Sequence, residues 1–94
     1  DAADSRLTEL RKQINFIDDE MINTLASRMQ IAREIGKFKK ENNITIYQKN
    51  RWDEIVGKYV QRAQDSELGE AFIRKFITAV HDESISQQEK IMSS

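Results

Sequence analysis

Residues 7–39 read LTELRKQINFIDDEMINTLASRMQIAREIGKFK, and the spacing within that stretch decides the fold. Steps of three and four residues pick out Leu7, Leu10, Ile14, Ile17, Met21, Thr24, Arg28, Ile31, Ile35 and Phe38. That is the seam of an amphipathic helix, at a heptad spacing suited to packing on another helix. Only Thr24 and Arg28 interrupt it. A guanidinium buried in such a seam costs several kcal/mol unless it is paired. No acidic residue on this face stands three or four positions from Arg28. Its natural partner is an anion from outside the helix face.

Outward from the seam, the helical pattern extends from about Ser5, read as the N-cap with Thr8 and Glu9 in the first turn, to about Asn42. Asn42 to Tyr47 is β-branched and Asn-rich and reads as a connection. A second helix over 49–64 carries the stripe Trp52, Ile55, Val56, Tyr59, Val60 and Ala63. Asp65, Ser66 and Gly69 make a turn. A third helix over 67–92 carries Phe72, Ile73, Phe76, Ile77, Val80, Ser84, Gln88 and Ile91. The expected fold is all-α, three helices with a very long first one.

Length sharpens this. About 37 residues at ~1.5 Å each give a first helix of ~55 Å, whereas a compact chain of 94 residues has a radius of gyration of ~12 Å. The shorter helices cannot cover the whole seam, so an intertwined helical homodimer is expected. Composition agrees with a single helical domain: the chain has no proline, three glycines and one charged residue in three. The start, residues 1–5, lacks an initiator methionine and reads as a linker or disordered lead-in to a domain of a longer polypeptide. Cysteine is absent, which removes disulfide and thiolate chemistry and suits a cytoplasmic location. A net charge of −1 gives no field for nucleic acid or a membrane surface, and no apolar run approaches the ~20 residues of a span.

Polar residues interrupt each stripe. Lys39 stands eleven residues after Arg28, only ~20° away around the axis and ~16 Å along it, with small Ala32 between them. Arg51 flanks Trp52, and Gln48 lies one turn earlier. Ser84 and Gln88, at i and i+4, take places where the stripe predicts Leu or Val, and so face inward together. Arg11 is ~25 Å from Arg28 along the helix, so it reaches the same small anion only from a partner chain. Each residue has a plainer reading. Arg28 could snorkel or pair with Asp18, Asp19 or Glu20 of another helix. Lys39 could answer the helix dipole, Arg51 could be a solvated charge over the indole, and Ser84 with Gln88 could fix a helix register. His81, off the main stripe, reads as a surface histidine. No metal-ligand spacing and no nucleophile–base set is present. The cations and neutral donors together suit a small polyanion.

The phrases Leu10-Arg11-Lys12-Gln13-Ile14 with Ile17-Asp18, Ala26-Ser27-Arg28, Ile31-Ala32, Ile35-Gly36-Lys37-Phe38-Lys39, Arg51, and Glu83-Ser84-Ile85 with Gln88 resemble the all-α (AroQ-type) chorismate mutases, in order and over about residues 6–92. The resemblance implies an intertwined dimer of three-helix subunits, no cofactor, and chorismate as substrate. It implies that Arg28 and the partner subunit's Arg11 hold the two carboxylates, with Arg51 and Ser84 assisting, while Lys39 and Gln88 contact the ether oxygen. The reaction, a Claisen rearrangement to prephenate, needs orientation of a diacid and stabilisation of charge on that oxygen. Two positions depart from the family: where an acidic residue and, four later, a Glu commonly meet the ring hydroxyl, this chain has Gln48 and Trp52. Gln48 can hydrogen-bond a hydroxyl, whereas Trp52 offers no carboxylate. The stretch from Ile46 to Glu54 also resembles mutase domains fused behind a DAHP synthase. Other functions are an isochorismate–pyruvate lyase on the same fold and a non-catalytic helical dimerisation or regulatory module.

Overall fold

A computed structural model describes residues 1–94 as three helices, α1 (Ala2–Glu41), α2 (Lys49–Asp65) and α3 (Glu70–Met92), with no strand. None of them is long and apolar enough to cross a membrane. The all-α expectation and the very long first helix hold. The helix start differs: the Asp1 carboxylate accepts from the Asp4 N–H at 2.9 Å, so Asp1 is the cap and Ser5 lies inside α1. α3 also begins later than expected, with Gly69 in the N-cap position.

The chain divides into two compact units, 1–30 and 31–94. The first is helical rod alone. Its side chains are exposed apart from half-buried Leu25 and Met29. Seam exposure runs from 39 % at Leu10 to 63 % at Ile17, so this apolar surface is uncovered in the single chain. Arg28 is exposed too, contrary to the idea of a buried cation. Its desolvation would require the seam itself to be covered.

The second unit holds the last turns of α1 with α2 and α3. Its core is made of one large apolar residue, Ile73, and the small or polar Ala32, Gly36, Ala63, Ser84 and Gln88. No large side chain is fully enclosed. On α1 the buried residues are Ala32 and Gly36, while Ile31, Ile35 and Phe38 of the heptad seam are exposed. The two sets differ because a strict 3.5-residue repeat drifts ~20° per heptad around a straight 3.6-residue helix. By Ile31 the seam has rotated well away from the side on which Ala32 and Gly36 lie.

Both interhelical turns use a left-handed residue. Asn43 has φ 56°, and the Ile44 N–H donates to the Lys39 carbonyl at 2.9 Å. Glu67 has φ 59°, and the Leu68 N–H donates to the Ala63 carbonyl at 2.9 Å. These are Schellman closures, in which glycine is the usual left-handed residue. Asparagine tolerates that conformation; glutamate does so at a cost. Glu67→Gly is therefore expected to raise stability by about 0.5–1 kcal/mol, read as a higher urea midpoint at unchanged slope and fixed protein concentration.

Candidate active site

The most organised polar cluster joins the end of α1, the α1–α2 connection and α3. Burial and the Schellman turn set its geometry. The turn folds residues 44–46 back beside Lys39, so that its Nζ donates to the Ile46 carbonyl at 2.7 Å. The same Nζ donates to Gln88 Oε1 at 2.9 Å. Gln88 Nε2 in turn points to Ser84 Oγ, at 3.4 Å, a long and weak contact. Ser84 and Gln88 are 8 % and 5 % exposed, so they face inward as their i, i+4 spacing requires.

Chemistry fixes the orientation of that amide. An ammonium has donors only, so it must meet the carbonyl oxygen of Gln88. The NH2 end is thereby turned away from Lys39, toward Ser84, and with two N–H groups it keeps a donor beyond that long contact. Lys39 spends two of its three donors and keeps one. Partial burial lowers its pKa below the ordinary 10.5, because desolvation penalises the charged form. The cluster is a cation and an amide donor held by fixed bonds.

Beside it lies a groove of about 370 Å³, within the usual ~300–1,000 Å³ range for small-molecule sites. Lys39 and Gln48 line it together with Ile35, Phe38 and Glu34. Gln48 is the N-cap residue of α2, yet its side chain caps nothing, which leaves the amide available. Glu34 is a groove residue that the sequence reading passed over. Its place one turn before Phe38 was the available signal. Arg51 is exposed and lies 3.7 Å from Glu54 in a surface pair of little energetic weight. Arg11 and Arg28, in the 1–30 unit, are exposed and form no ion pair.

His81 is not the surface histidine expected. It is half-buried, with its ring 4.2 Å from that of Trp52 and 6.0 Å, edge-on, from that of Tyr47. The missed signal was its spacing: seven residues before Gln88 leaves it ~20° away around α3.

Gly36 allows α1 and α3 to approach. A Cβ there would lie 3.0 Å from the Gln88 Cα and 3.3 Å from its carbonyl oxygen. Gly36→Ala gains up to ~1 kcal/mol of helix propensity but meets backbone, and overpacking costs ~1–3 kcal/mol. A net loss of stability is expected. Gly57→Ala is the control: nothing lies within 4 Å of its Cβ position, and it is expected to stabilise. Thermal or urea melts of the two variants should move in opposite directions.

An all-α chain that sets a desolvated lysine against a buried, oriented glutamine has the makings of an enzyme site for an anionic or oxygen-rich small molecule. The profile of the chorismate mutase type II family matches residues 10–89, and the chain belongs to that family. It is 34 % identical over 80 residues to a bifunctional chorismate mutase/prephenate dehydratase of Aquifex aeolicus (strain VF5), covering 85 % of this chain and 22 % of that protein. A protein of the same name from Buchnera aphidicola subsp. Acyrthosiphon pisum (strain APS) is 27 % identical over 90 residues, 96 % of this chain and 23 % of the relative. One from Buchnera aphidicola subsp. Schizaphis graminum (strain Sg) is 25 % identical over 87 residues, with 93 % and 23 % covered. The chain thus spans less than a quarter of these relatives' length, and their second named activity is prephenate dehydratase. No solved structure matches.

Proposed function

We propose that the chain catalyses the rearrangement of chorismate to prephenate. The observation that carries this reading is the Lys39–Gln88 bond, which aims an amide donor while holding an ammonium beside it. In the rearrangement the ether C–O bond breaks as a new C–C bond forms within one molecule. No proton is transferred, no nucleophile is required and no cofactor takes part. Negative charge gathers on the ether oxygen, and the free donor of Lys39 with the Gln88 NH2 would meet it. The two carboxylates need cations to fold the substrate into its reactive shape. Arg28, Arg51 and the partner subunit's Arg11 are the residues we assign to them, with Ser84 and Gln48 as neutral contacts.

The exposed apolar seam supports a homodimer as the working form, with each α1 covering the other. We place the enzyme in the cytoplasm, and read the stretch from Ile46 to Glu54 as that of a mutase domain attached to a DAHP synthase. The dehydratase partner is a property of the three relatives.

The test is loss of chorismate's ultraviolet absorbance with formation of prephenate, run beside sedimentation over a range of protein concentrations. Activity that falls on dilution, in step with loss of dimer, is expected. Inert protein at every concentration would overturn the proposal. Release of pyruvate from isochorismate in its place would make the chain a lyase.

A further inference from the structure

We propose that Arg33 and Gln87 are positioning residues, which fix the rotation of α3 against α1 so that the Gln88 amide is held in its working direction. The inference rests on the chorismate reading above and concerns a second set of bonds between the same two helices. Arg33 Nη1 donates to Gln87 Oε1 at 3.3 Å, and Gln87 Nε2 donates to Glu83 Oε1 at 2.9 Å. A guanidinium only donates and a carboxylate only accepts, so a flipped Gln87 amide would lose both bonds. This run repeats, one residue earlier on α3, the run from Lys39 through Gln88 to Ser84. Unlike that one it is open to water: Arg33 and Glu83 are exposed and Gln87 is half-buried.

Helix geometry gives the second run its purpose. Gly36 of α1 meets α3 at the Gln88 backbone, and a glycine presents no side chain to interlock there. Arg33 and Lys39 stand three residues to either side of Gly36. They therefore flank the contact by ~60° in opposite directions around α1, each ~4.5 Å away along its axis. On α3 the residues they hold, Gln87 and Gln88, are neighbours ~100° apart. Ties on both sides of the contact oppose its rocking, whereas a tie on one side leaves a hinge. Rotation matters because a side chain ~5–6 Å from the helix axis moves by ~1 Å for ~10° of turn. A misplacement of ~1 Å can cost ~10²-fold in rate. The buried run cannot prevent it alone. Lys39 is a flexible chain that follows the amide, and Ser84, on the same helix as Gln88, turns with it.

The experiment measures kcat and KM for chorismate in the whole chain and in its Arg33→Met, Gln87→Leu and Gln87→Glu variants. Neither residue lines the groove beside Lys39. Losing the tie is expected to lower kcat by about 3- to 10-fold, the weight of one hydrogen bond, with KM within about twofold of wild type. Gln87→Glu gives up the bond to Glu83 but keeps an oxygen for the guanidinium, now charge-assisted, and should recover most of the loss. Arg33→Met and Gln87→Leu are then each combined with Gln88→Leu. A residue that acts through Gln88 adds no further loss in that background, whereas a general loss of stability lowers both backgrounds alike. A second readout needs no substrate. The side-chain amide NMR signal of Gln88, identified by its disappearance in Gln88→Leu, should move toward that of a free glutamine in Arg33→Met. A kcat or an amide signal unchanged by Arg33→Met, or equal losses with and without the Gln88 amide, would overturn the positioning role and leave the mutase reading intact. Wild-type protein inert toward chorismate would overturn both.

Discussion

Lys39→Ala is expected to lower kcat/KM for chorismate by ~10²–10³-fold, the range typical of one lost donor at a developing oxyanion. The deletion does three things at once. It removes the only partly buried cation of the cluster, releases the Ile46 carbonyl, and frees the Gln88 amide to turn its oxygen toward the substrate. Stability should fall modestly, because relief of the lysine's desolvation is offset by the loss of the donor to the Ile46 carbonyl and to the buried Gln88 oxygen. The pH dependence separates the two effects. The folded pKa of Lys39 lies below 10.5, so on raising the pH the folded chain gives up this proton before the unfolded chain does. Activity therefore declines as pH rises through the folded value, on an alkaline limb that begins below 10.5. Over the interval up to 10.5 the desolvation penalty is relieved and the contribution of Lys39 to stability improves. A wild-type pH–rate profile flat to 10.5, or a Lys39→Ala variant of normal rate, would remove Lys39 from the mechanism.

Gln88→Glu carries the second large effect, and it is conditional on pH. At neutral pH the new carboxylate pairs with the Lys39 ammonium, which stood 2.9 Å from the amide oxygen. It then has only acceptors, and the donor that we assign to the ether oxygen is gone. The expected loss is again ~10²–10³-fold. Protonation restores a donor, so kcat/KM of the variant should climb as pH falls, over a range in which the wild type is nearly constant. Two opposing influences set where the climb occurs: the neighbouring ammonium lowers the carboxyl's pKa, and burial raises it. Parallel wild-type and variant profiles would show that Gln88 does not donate to the substrate.

Local periodicity revealed the helices and the inward turn of Ser84 and Gln88, because each follows from spacing along one helix. It failed where the answer depended on a second element. The heptad reading of α1 chose Ile31, Ile35 and Phe38, yet the buried side holds Ala32 and Gly36. The small residues there carry little hydrophobic signal, and only the proximity of the α3 backbone explains them. Arg28 looked buried because its neighbours are apolar; in the single chain those neighbours are exposed as well. Lys39 and Gln88 were both singled out as unusual polar residues, but no sequence spacing could show that one fixes the amide of the other. His81 reads as a surface residue because it lies off the main stripe of α3, while its partners, Trp52 and Tyr47, lie on another helix and in the preceding connection.

The Gly36 contact has a genetic consequence. Crowding from a larger residue at 36 falls on the Gln88 Cα, Cβ and carbonyl oxygen, and the tightest contact, 3.0 Å to the Cα, is to an atom that every amino acid shares. Trimming the side chain at 88 therefore cannot make room for it. Intragenic suppressors of Gly36→Ala should arise at positions that let α3 slide or tilt as a body, and not at residue 88.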